Sequence, residues 1–359
     1  MLDILGPTAM DETTFRILDT LSRLLGRPLS ILELTKKIQK FHHTAYYANI
    51  YEKLHSLAAD GTITLTKAGK SSTASLNFGN YFLLDMLTEM ELTRKRKLLE
   101  KRPELQMLCA DIEGSCKNLP FIRSISLIRP ERNIKLNKTE LLILLHRSGA
   151  DERRRLHETI EMFHRMHNIR IDYLPLIAAE FLELLRPDGA NPLKEMLSDA
   201  VCVHSPQAFW SEILEAQHKG VHIMLEEGEV DPRKVPETEL AYNLARFGYK
   251  EFGRETKQSR EILKEFLAVS ILLNGDARRV DAVPVILAKG RTYWNLLIFL
   301  AQKYGASAKL LGLLRALNHI KPAKEASEAI AALESKDVKE VKVDEKDIED
   351  RLRLYNVIG

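Results

Sequence analysis

The sequence predicts a multidomain protein of mixed α and β structure, with an N-terminal helical module, a central α/β domain and a C-terminal helical bundle. Three observations indicate this fold class. Near the N-terminus, three helical patterns precede two short runs that alternate like a β-hairpin. Strand and helix patterns then alternate between 121 and 204. Helical patterns alone follow between 237 and 320.

The length and these patterns set the expected domain boundaries. A chain of 359 residues is long enough for two or three domains. The expected segments are the N-terminal module at 1–80, a linker helix at 81–108, the α/β domain at 109–220, the helical bundle at 221–320 and a tail at 321–359.

Composition excludes several classes of protein. The chain has 53 Lys and Arg against 50 Asp and Glu, so it is not a histone-like polycation, although a local basic surface remains open. It has no apolar run near the roughly 20 residues of a membrane helix, and its start lacks the pattern of a secretory signal. Cys109, Cys116 and Cys202 lack the spacing of a disulfide framework or a zinc site. We therefore expect a cytoplasmic protein without a membrane partner.

The first eighty residues give the clearest local signals. Segment 11–25 has apolar residues at helical spacing, and Ser30 with Glu33 forms a capping-box pattern at the start of a second helix. A third helix is predicted for 44–59, and the alternation across 62–78 predicts two strands joined by a turn.

Three helices followed by a hairpin resemble the winged helix-turn-helix family, over about residues 11–80. In that family the third helix enters the major groove and the hairpin touches the backbone, so the resemblance implies binding to double-stranded DNA. The residues that would face DNA are Lys36, Lys37, Lys40, His42, His43, Thr44, Tyr46, Tyr47, Asn49, Lys53, Lys67, Lys70 and Ser71. The basic excess is modest, so we expect weak binding that a homodimer would strengthen. A protein-docking or dimerisation module is the alternative.

The segment 81–108 is predicted as one long helix that Pro103 kinks or restarts. Its second half contains a basic stretch consisting of Arg94, Lys95, Arg96, Lys97, Lys101 and Arg102. Such a stretch either meets nucleic acid or forms a solvated helix whose cations pair with Glu89, Glu91 and Glu100.

The central segment predicts strands at 121–128, 140–145, 169–176 and 200–204 and helices at 153–167, 178–186 and 192–198. This order resembles the nucleotidyltransferase superfamily over about 119–215. The likeness depends mainly on a strand containing Asp172, a helix beginning Ala-Ala-Glu-Phe at 178–181, and the run Asn-Pro-Leu-Lys-Glu at 191–195. Together with the N-terminal module it resembles fusions common in archaea.

Active members of that superfamily need a Gly-Ser pair after the first strand and carboxylates that hold Mg²⁺. Here that strand leads into Arg-Pro-Glu-Arg at 129–132, and Lys138 occupies the first carboxylate position. Glu140 and Asp172 are the residual catalytic candidates. The resemblance therefore implies an inactive domain without a cofactor, used for ligand sensing or dimerisation. An active, Mg²⁺-dependent transferase with an atypical site is the alternative.

The central segment also contains a basic cluster and a set of His and Glu residues at helical spacing. Arg129, Arg132, Lys135 and Lys138 are candidates for binding an anion such as a nucleotide phosphate, or else form a solvated basic loop. His157, Glu161 and His164 share one helical face without the HExxH motif, so we expect a polar surface rather than a metal site.

The C-terminal half predicts helices at 237–251, 256–274, 278–289, 292–304 and 306–318, separated by Gly275, Gly290 and Gly305. A helical bundle follows. The tail predicts a short strand at 337–343 and a helix at 344–354.

These patterns lead to three hypotheses about function. The first is a DNA-binding, transcription-regulatory homodimer with an inactive transferase-like domain. The second is an active nucleotidyltransferase, and the third is a scaffold that binds protein through both modules.

Overall fold

The computed structural model describes residues 10–69, 71–131, 137–187, 189–225, 227–228, 230–251, 258–336 and 338–359. Its contacts divide the chain into two compact units. The first comprises the described residues of Met1–Ile171, Pro175–Arg186 and Leu193–Gly228, and the second those of Asp172–Leu174, Pro187–Pro192 and Glu229–Gly359. All three segments predicted before residue 221 therefore contribute to the first unit. The described residues form mostly helices, together with one three-stranded and one four-stranded sheet.

The N-terminal module has three helices and a three-stranded antiparallel sheet. Its elements are α1 (Glu12–Arg23), β1 (Leu29–Ser30), α2 (Ile31–His42), α3 (Tyr47–Ala59), β2 (Ile63–Ala68) and β3 (Ser71–Leu76). Asp11 caps α1 by accepting from the Thr14 amide, and Ser30 and Glu33 form the expected capping box on α2. The strand order is β1-β3-β2. The two-residue strand β1 is too short to give an alternating pattern, and the sequence did not predict it.

The predicted linker helix is two helices, α4 (Phe82–Lys101) and α5 (Glu104–Cys116). The break falls at Arg102 and Pro103, because a proline removes a backbone donor and its ring clashes with the preceding turn. The apolar first half of α4 packs within the first unit, where Leu83, Leu87 and Met90 are buried.

The remainder of the first unit is built on a four-stranded sheet. Its elements are β4 (Ile122–Ile128), β5 (Lys138–Leu145), α6 (Ala150–His167), β6 (Arg170–Ile177), α7 (Ala178–Leu185), α8 (Pro192–Ser198), β7 (Val201–His204) and α9 (Pro206–His218). Every strand and helix predicted for 121–204 is present. The strand order is β6-β5-β4-β7, and β4 runs antiparallel to both β5 and β7.

The second unit is helical. After a 3₁₀ turn at Pro232–Lys234 come α10 (Glu237–Arg246), α11 (Lys264–Asn274), α12 (Ala277–Val280), α13 (Ala282–Ala288), α14 (Trp294–Tyr304), α15 (Ser307–Ile320), α16 (Lys324–Glu334) and α17 (Glu345–Leu354). Phe266 and Phe299 are completely buried in its core. The tail docks within this unit, because Ile348 and Leu352 of α17 are buried.

Two predictions for this unit are wrong. Residues 258–263 are not helical, because the Asn243 side chain accepts from the Ile262 amide and donates to the Arg260 carbonyl, which holds this stretch extended. No strand forms at 338–343. There the Val341 amide donates to Ala308 of α15 at 3.0 Å, and Gly312, which has no Cβ, lets the Val341 carbonyl approach the helix closely.

Candidate nucleic-acid interface

The turn between α2 and α3 fixes the direction of α3. His43 ends α2 in the left-handed conformation with φ 65°, which lets its amide donate to the Gln39 carbonyl. Arg16 of α1 donates to the Thr44 carbonyl at 2.8 Å, and the Gln39 side chain donates to the Ala45 carbonyl at 3.0 Å. Contacts from α1 and α2 therefore hold the start of α3.

The outer face of α3 is aromatic and also carries the exposed side chain of Glu52. Tyr46, Tyr47 and Tyr51 are 68%, 50% and 42% exposed. The Tyr47 and Tyr51 rings stack with centroids 6.1 Å apart, and the Tyr51 and His55 rings lie 4.4 Å apart. Asn49 is exposed beside them. The hydrogen-bonding and aromatic groups of this face are exposed and do not contribute to the core.

The predicted DNA-facing lysines fall into two groups. Lys36 on α2 and Lys67 on β2 are exposed, and neither forms a salt bridge with any residue that the structure describes. Lys37 and Lys40 both contact Glu227, at 2.6 and 3.1 Å, and Lys53 contacts Asp11 at 3.0 Å. Three of the five described lysines are thus paired with carboxylates, and two of them share the same one.

The other residues predicted to face DNA differ in their exposure. His43 and Thr44 are exposed in the turn before α3, and Ser71 is exposed at the start of β3. His42 points inward, with its Nε2 atom 3.0 Å from Asp19. Lys70 lies outside the described residues.

A segment far along the chain lies against this module. It comprises the described residues of 221–228, hereafter the strap. The Leu225 amide donates to the Leu25 carbonyl at 2.9 Å, and Ile223 is buried. Gly26, with φ 80°, has no Cβ, and a Cβ there would overlap the Ile223 carbonyl oxygen. Glu227 of the strap contacts Lys37 and Lys40 of α2.

A buried ion cluster joins α1 to α4. Asp19 is completely buried and accepts from Arg94 at 2.5 Å and from Arg23 at 3.0 Å. Arg94 also donates to Glu91 at 2.7 Å, to the Ser22 hydroxyl at 2.8 Å and to the Ala200 carbonyl at 3.2 Å. Its guanidinium is therefore saturated with partners, which is how a buried charge is tolerated.

The two carboxylates of this cluster are shifted in opposite directions. Burial acts to raise the pKa of Asp19, but the charges of Arg94 and Arg23 and the contact with His42 outweigh it and hold that pKa far below its usual range. For Glu91, burial exceeds the effect of Arg94 and raises the pKa. Arg94 thus keeps Asp19 ionised inside the first unit.

The basic stretch of α4 makes little charge available to nucleic acid. Arg94 is buried, and Lys97 contacts Glu12 at 2.6 Å. Lys95 pairs with Glu113, Lys101 with Glu131 and Arg102 with Glu104. Arg96 is exposed and makes no salt bridge within the described ranges.

The residues predicted for a transferase-like site lie on two strands. On β5, the Lys138 ammonium is 3.0 Å from the Glu140 carboxylate, and Glu140 is buried. Asp172 lies on β6, is also buried, and groups with the second unit rather than the first. The lysine thus neutralises the carboxylate that would stand for the second metal ligand.

The predicted anion-binding cluster is only partly described. Arg129 is buried, donates to the Gly228 carbonyl at 2.8 Å and lies 3.8 Å from Glu195. Lys138 has the partner given above. Arg132 and Lys135 lie outside the described residues, so the cluster stays a prediction.

The histidines of α6 are engaged separately. His164 contacts the Ile169 carbonyl at 2.8 Å, and His167 contacts Asp111 at 2.8 Å. Across the described part of the chain, no three His, Cys, Asp or Glu side chains are grouped so that they could hold a metal ion.

Sequence reasoning missed several residues of this region. Tyr51 and His55 follow Tyr47 at intervals of four, which places them on one helical face and could have identified the stack. Asp19 could have been suspected because it falls among the inward positions Leu18 and Leu21. Glu227 gave no signal, because its contact with α2 is made only in the folded chain.

Two general findings accompany this geometry. No helix among the described residues combines the length and the apolar character that a membrane crossing requires. Comparison with known protein families, with curated proteins and with solved structures found no significant match to this chain.

Proposed function

We propose that the N-terminal module is a winged helix-turn-helix domain that binds double-stranded DNA and serves a transcription-regulatory protein. The observation that carries the proposal is the outer face of α3, where Tyr46, Tyr47 and Asn49 are exposed at the start of the helix that follows the turn. Asparagine can bond an adenine edge with both side-chain atoms, and tyrosine can bond phosphate or base edges.

The flanking charges fit a modest affinity. Lys36 and Lys67 lie on the elements before and after α3 and carry exposed ammonium groups suited to phosphate contacts. Because affinity for duplex DNA grows with the number of phosphates neutralised, so few cations support weak binding by one chain. A homodimer would double the contacts, and we include it in the proposal.

We predict that the full chain shifts a random-sequence duplex at low salt and that Lys36→Gln lowers the slope of log affinity against log salt by about 1. Lys117→Gln is the matched control, because Lys117 is exposed on the first unit at the end of α5 and is not part of the predicted DNA-facing set. Mobility-shift titrations at several salt concentrations measure the slope. Absence of a shift by the unmodified chain, or equal slopes for both variants, contradicts the proposal.

Glu227 gives a second test with the opposite sign. Glu227→Gln removes the carboxylate that Lys37 and Lys40 share, so we expect duplex affinity to rise by about threefold to tenfold with a steeper salt slope. Glu215→Gln is the control, because Glu215 pairs with Lys219 at the same distance of 2.6 Å on α9. Unchanged affinity for Glu227→Gln would show that the α2 lysines do not meet DNA.

For the central domain, we propose an inactive member of the nucleotidyltransferase superfamily. The support is the Lys138–Glu140 pair, because an ammonium bound to that carboxylate competes with Mg²⁺ for it. Transfer of label from a radiolabelled nucleotide in the presence of Mg²⁺ would overturn this proposal, and loss of the transfer in Glu140→Ala would assign it to this site.

Protein docking through α3 is the second candidate. It is favoured by the ring contacts of Tyr47, Tyr51 and His55 on the outer face of α3, since aromatic side chains are enriched where proteins bind one another. The two functions separate experimentally. A docking face predicts that Tyr51→Ala changes the sedimentation of the chain and that no duplex shift occurs.

A further inference from the structure

The second unit contains a cavity to which the DNA-binding proposal gives no role. It measures about 330 Å³, within the range of small-molecule sites. Its walls come from four places: residues 187 and 189–191, the end of α10, residues 261–265 around the start of α11, and the loop 289–293. The first and third are joined by a hydrogen bond of 2.8 Å from the Ala190 amide to the Glu261 carbonyl.

Cations outnumber carboxylates in the described lining. The cations are Arg246, Lys264, Lys289 and Arg291, and the carboxylates are Glu261 and Glu265. The Arg246–Glu261 pair, at 2.8 Å, neutralises itself. Glu265 is buried and accepts from the Tyr293 amide at 2.7 Å, and burial raises its pKa.

Lys264 is a buried ammonium that makes no salt bridge among the described residues. Its Nζ atom donates to the Lys289 carbonyl at 2.9 Å and to the Gly290 carbonyl at 3.4 Å. Burial lowers its pKa, although the charge of Glu265 opposes the shift. Removing an ammonium from water is costly unless an anion compensates it. A bound anion would supply that compensation.

Lys289 lines the same cavity and is also without a carboxylate partner in the described ranges. Its Nζ atom lies 3.4 Å from the Gly248 carbonyl and 5.2 Å from the centroid of the Tyr355 ring. Two aromatic rings, Phe247 and Tyr293, complete the lining and can contact a flat apolar group. The cavity thus combines two cations with aromatic walls.

We propose that this cavity binds a small organic anion in which a phosphate or carboxylate is attached to a planar ring. Lys264 and Lys289 would bind the anionic group, and Phe247 and Tyr293 would contact the ring. The site is separate from α3 and from the Lys138–Glu140 pair, so the proposal does not depend on DNA binding.

The test uses the full chain, isothermal titration calorimetry and four probes: adenosine monophosphate, benzoate, inorganic phosphate and uncharged adenosine. We expect adenosine monophosphate or benzoate to bind more tightly than phosphate or adenosine alone. Loss of a charge-assisted hydrogen bond of about 1.5–3 kcal/mol predicts roughly 10- to 150-fold weaker binding for Lys289→Met. Lys289→Arg, which keeps the charge, should bind within a few-fold of the unmodified chain.

Lys321→Met is the matched control, because Lys321 also makes one long bond to a carbonyl, 3.3 Å to Val357, and lies outside the lining. It should bind like the unmodified chain. Circular dichroism and the melting temperature verify that each variant is folded. The proposal is overturned if neither ring anion binds at millimolar concentration, or if Lys289→Met binds as tightly as Lys321→Met. If phosphate and adenosine monophosphate bind equally well, the proposal that Phe247 and Tyr293 contact a ring is overturned.

Discussion

Replacing Arg94 with methionine is expected to lower the free energy of unfolding of the first unit by about 3–5 kcal/mol, the typical cost of leaving a buried charge without its partner. Methionine fills a similar volume but leaves Asp19 and Glu91 without their shared cation. Asp19 would keep Arg23, whereas the only salt bridge of Glu91 among the described residues is lost.

Urea titration measures this effect, with fluorescence as the probe. Trp210 lies in the first unit and Trp294 in the second, so a Trp294→Phe background confines the signal to the first. Arg96→Met is the control, because Arg96 is on the same helix but exposed. Adding Asp19→Asn and Glu91→Gln to Arg94→Met should recover part of the loss. Equal effects of Arg94→Met and Arg96→Met would show that the cluster contributes no net stability.

Gly26→Ala is expected to destabilise the same unit by about 3–5 kcal/mol. The left-handed backbone at Gly26 alone costs an L-residue about 1–2 kcal/mol. In addition, the new Cβ would overlap the Ile223 carbonyl, so the strap must move and expose part of Ile223 and Leu225. Partial exposure of two such side chains adds about 2–3 kcal/mol.

Gly220→Ala isolates the close approach from the backbone strain. Gly220 has a similar φ, 76° against 80°, but open space surrounds the position of its Cβ. Both variants are compared by the same urea titration. Gly26→Ala should cost at least about 2 kcal/mol more than Gly220→Ala. A smaller difference would mean that the strap adapts to the methyl group without losing its contacts.

Local signals made much of the fold predictable. Ser30 and Glu33 began α2 as the capping box required, and Pro103 ended the long helix where a proline must. The apolar run 140–145 falls within β5, which is buried along nearly its whole length. In each case the cause lies within a few residues of its effect, so one sequence is enough to read it.

The candidate sites were less predictable because distant residues build them. Arg94 looks like part of a basic surface when it is read with its neighbours, yet Asp19 and Ala200 make it a buried cation. The cavity of the second unit has walls from four separate stretches, and none of them carries a motif. Lys37 is a plausible phosphate contact in sequence, but its charge is met by Glu227, which follows it by 190 residues.

The position of the strap in the sequence determines when the N-terminal module can complete its contacts during synthesis. Synthesis delivers the N-terminal module first, and domains often fold as they leave the ribosome. Here Asp19 must wait 75 residues for Arg94, and the α2 lysines wait far longer for Glu227. When the nascent module emerges, Asp19 therefore still lacks its partner Arg94, and Lys37 and Lys40 still lack their partner Glu227. Its native form is completed only when the strap leaves the ribosome.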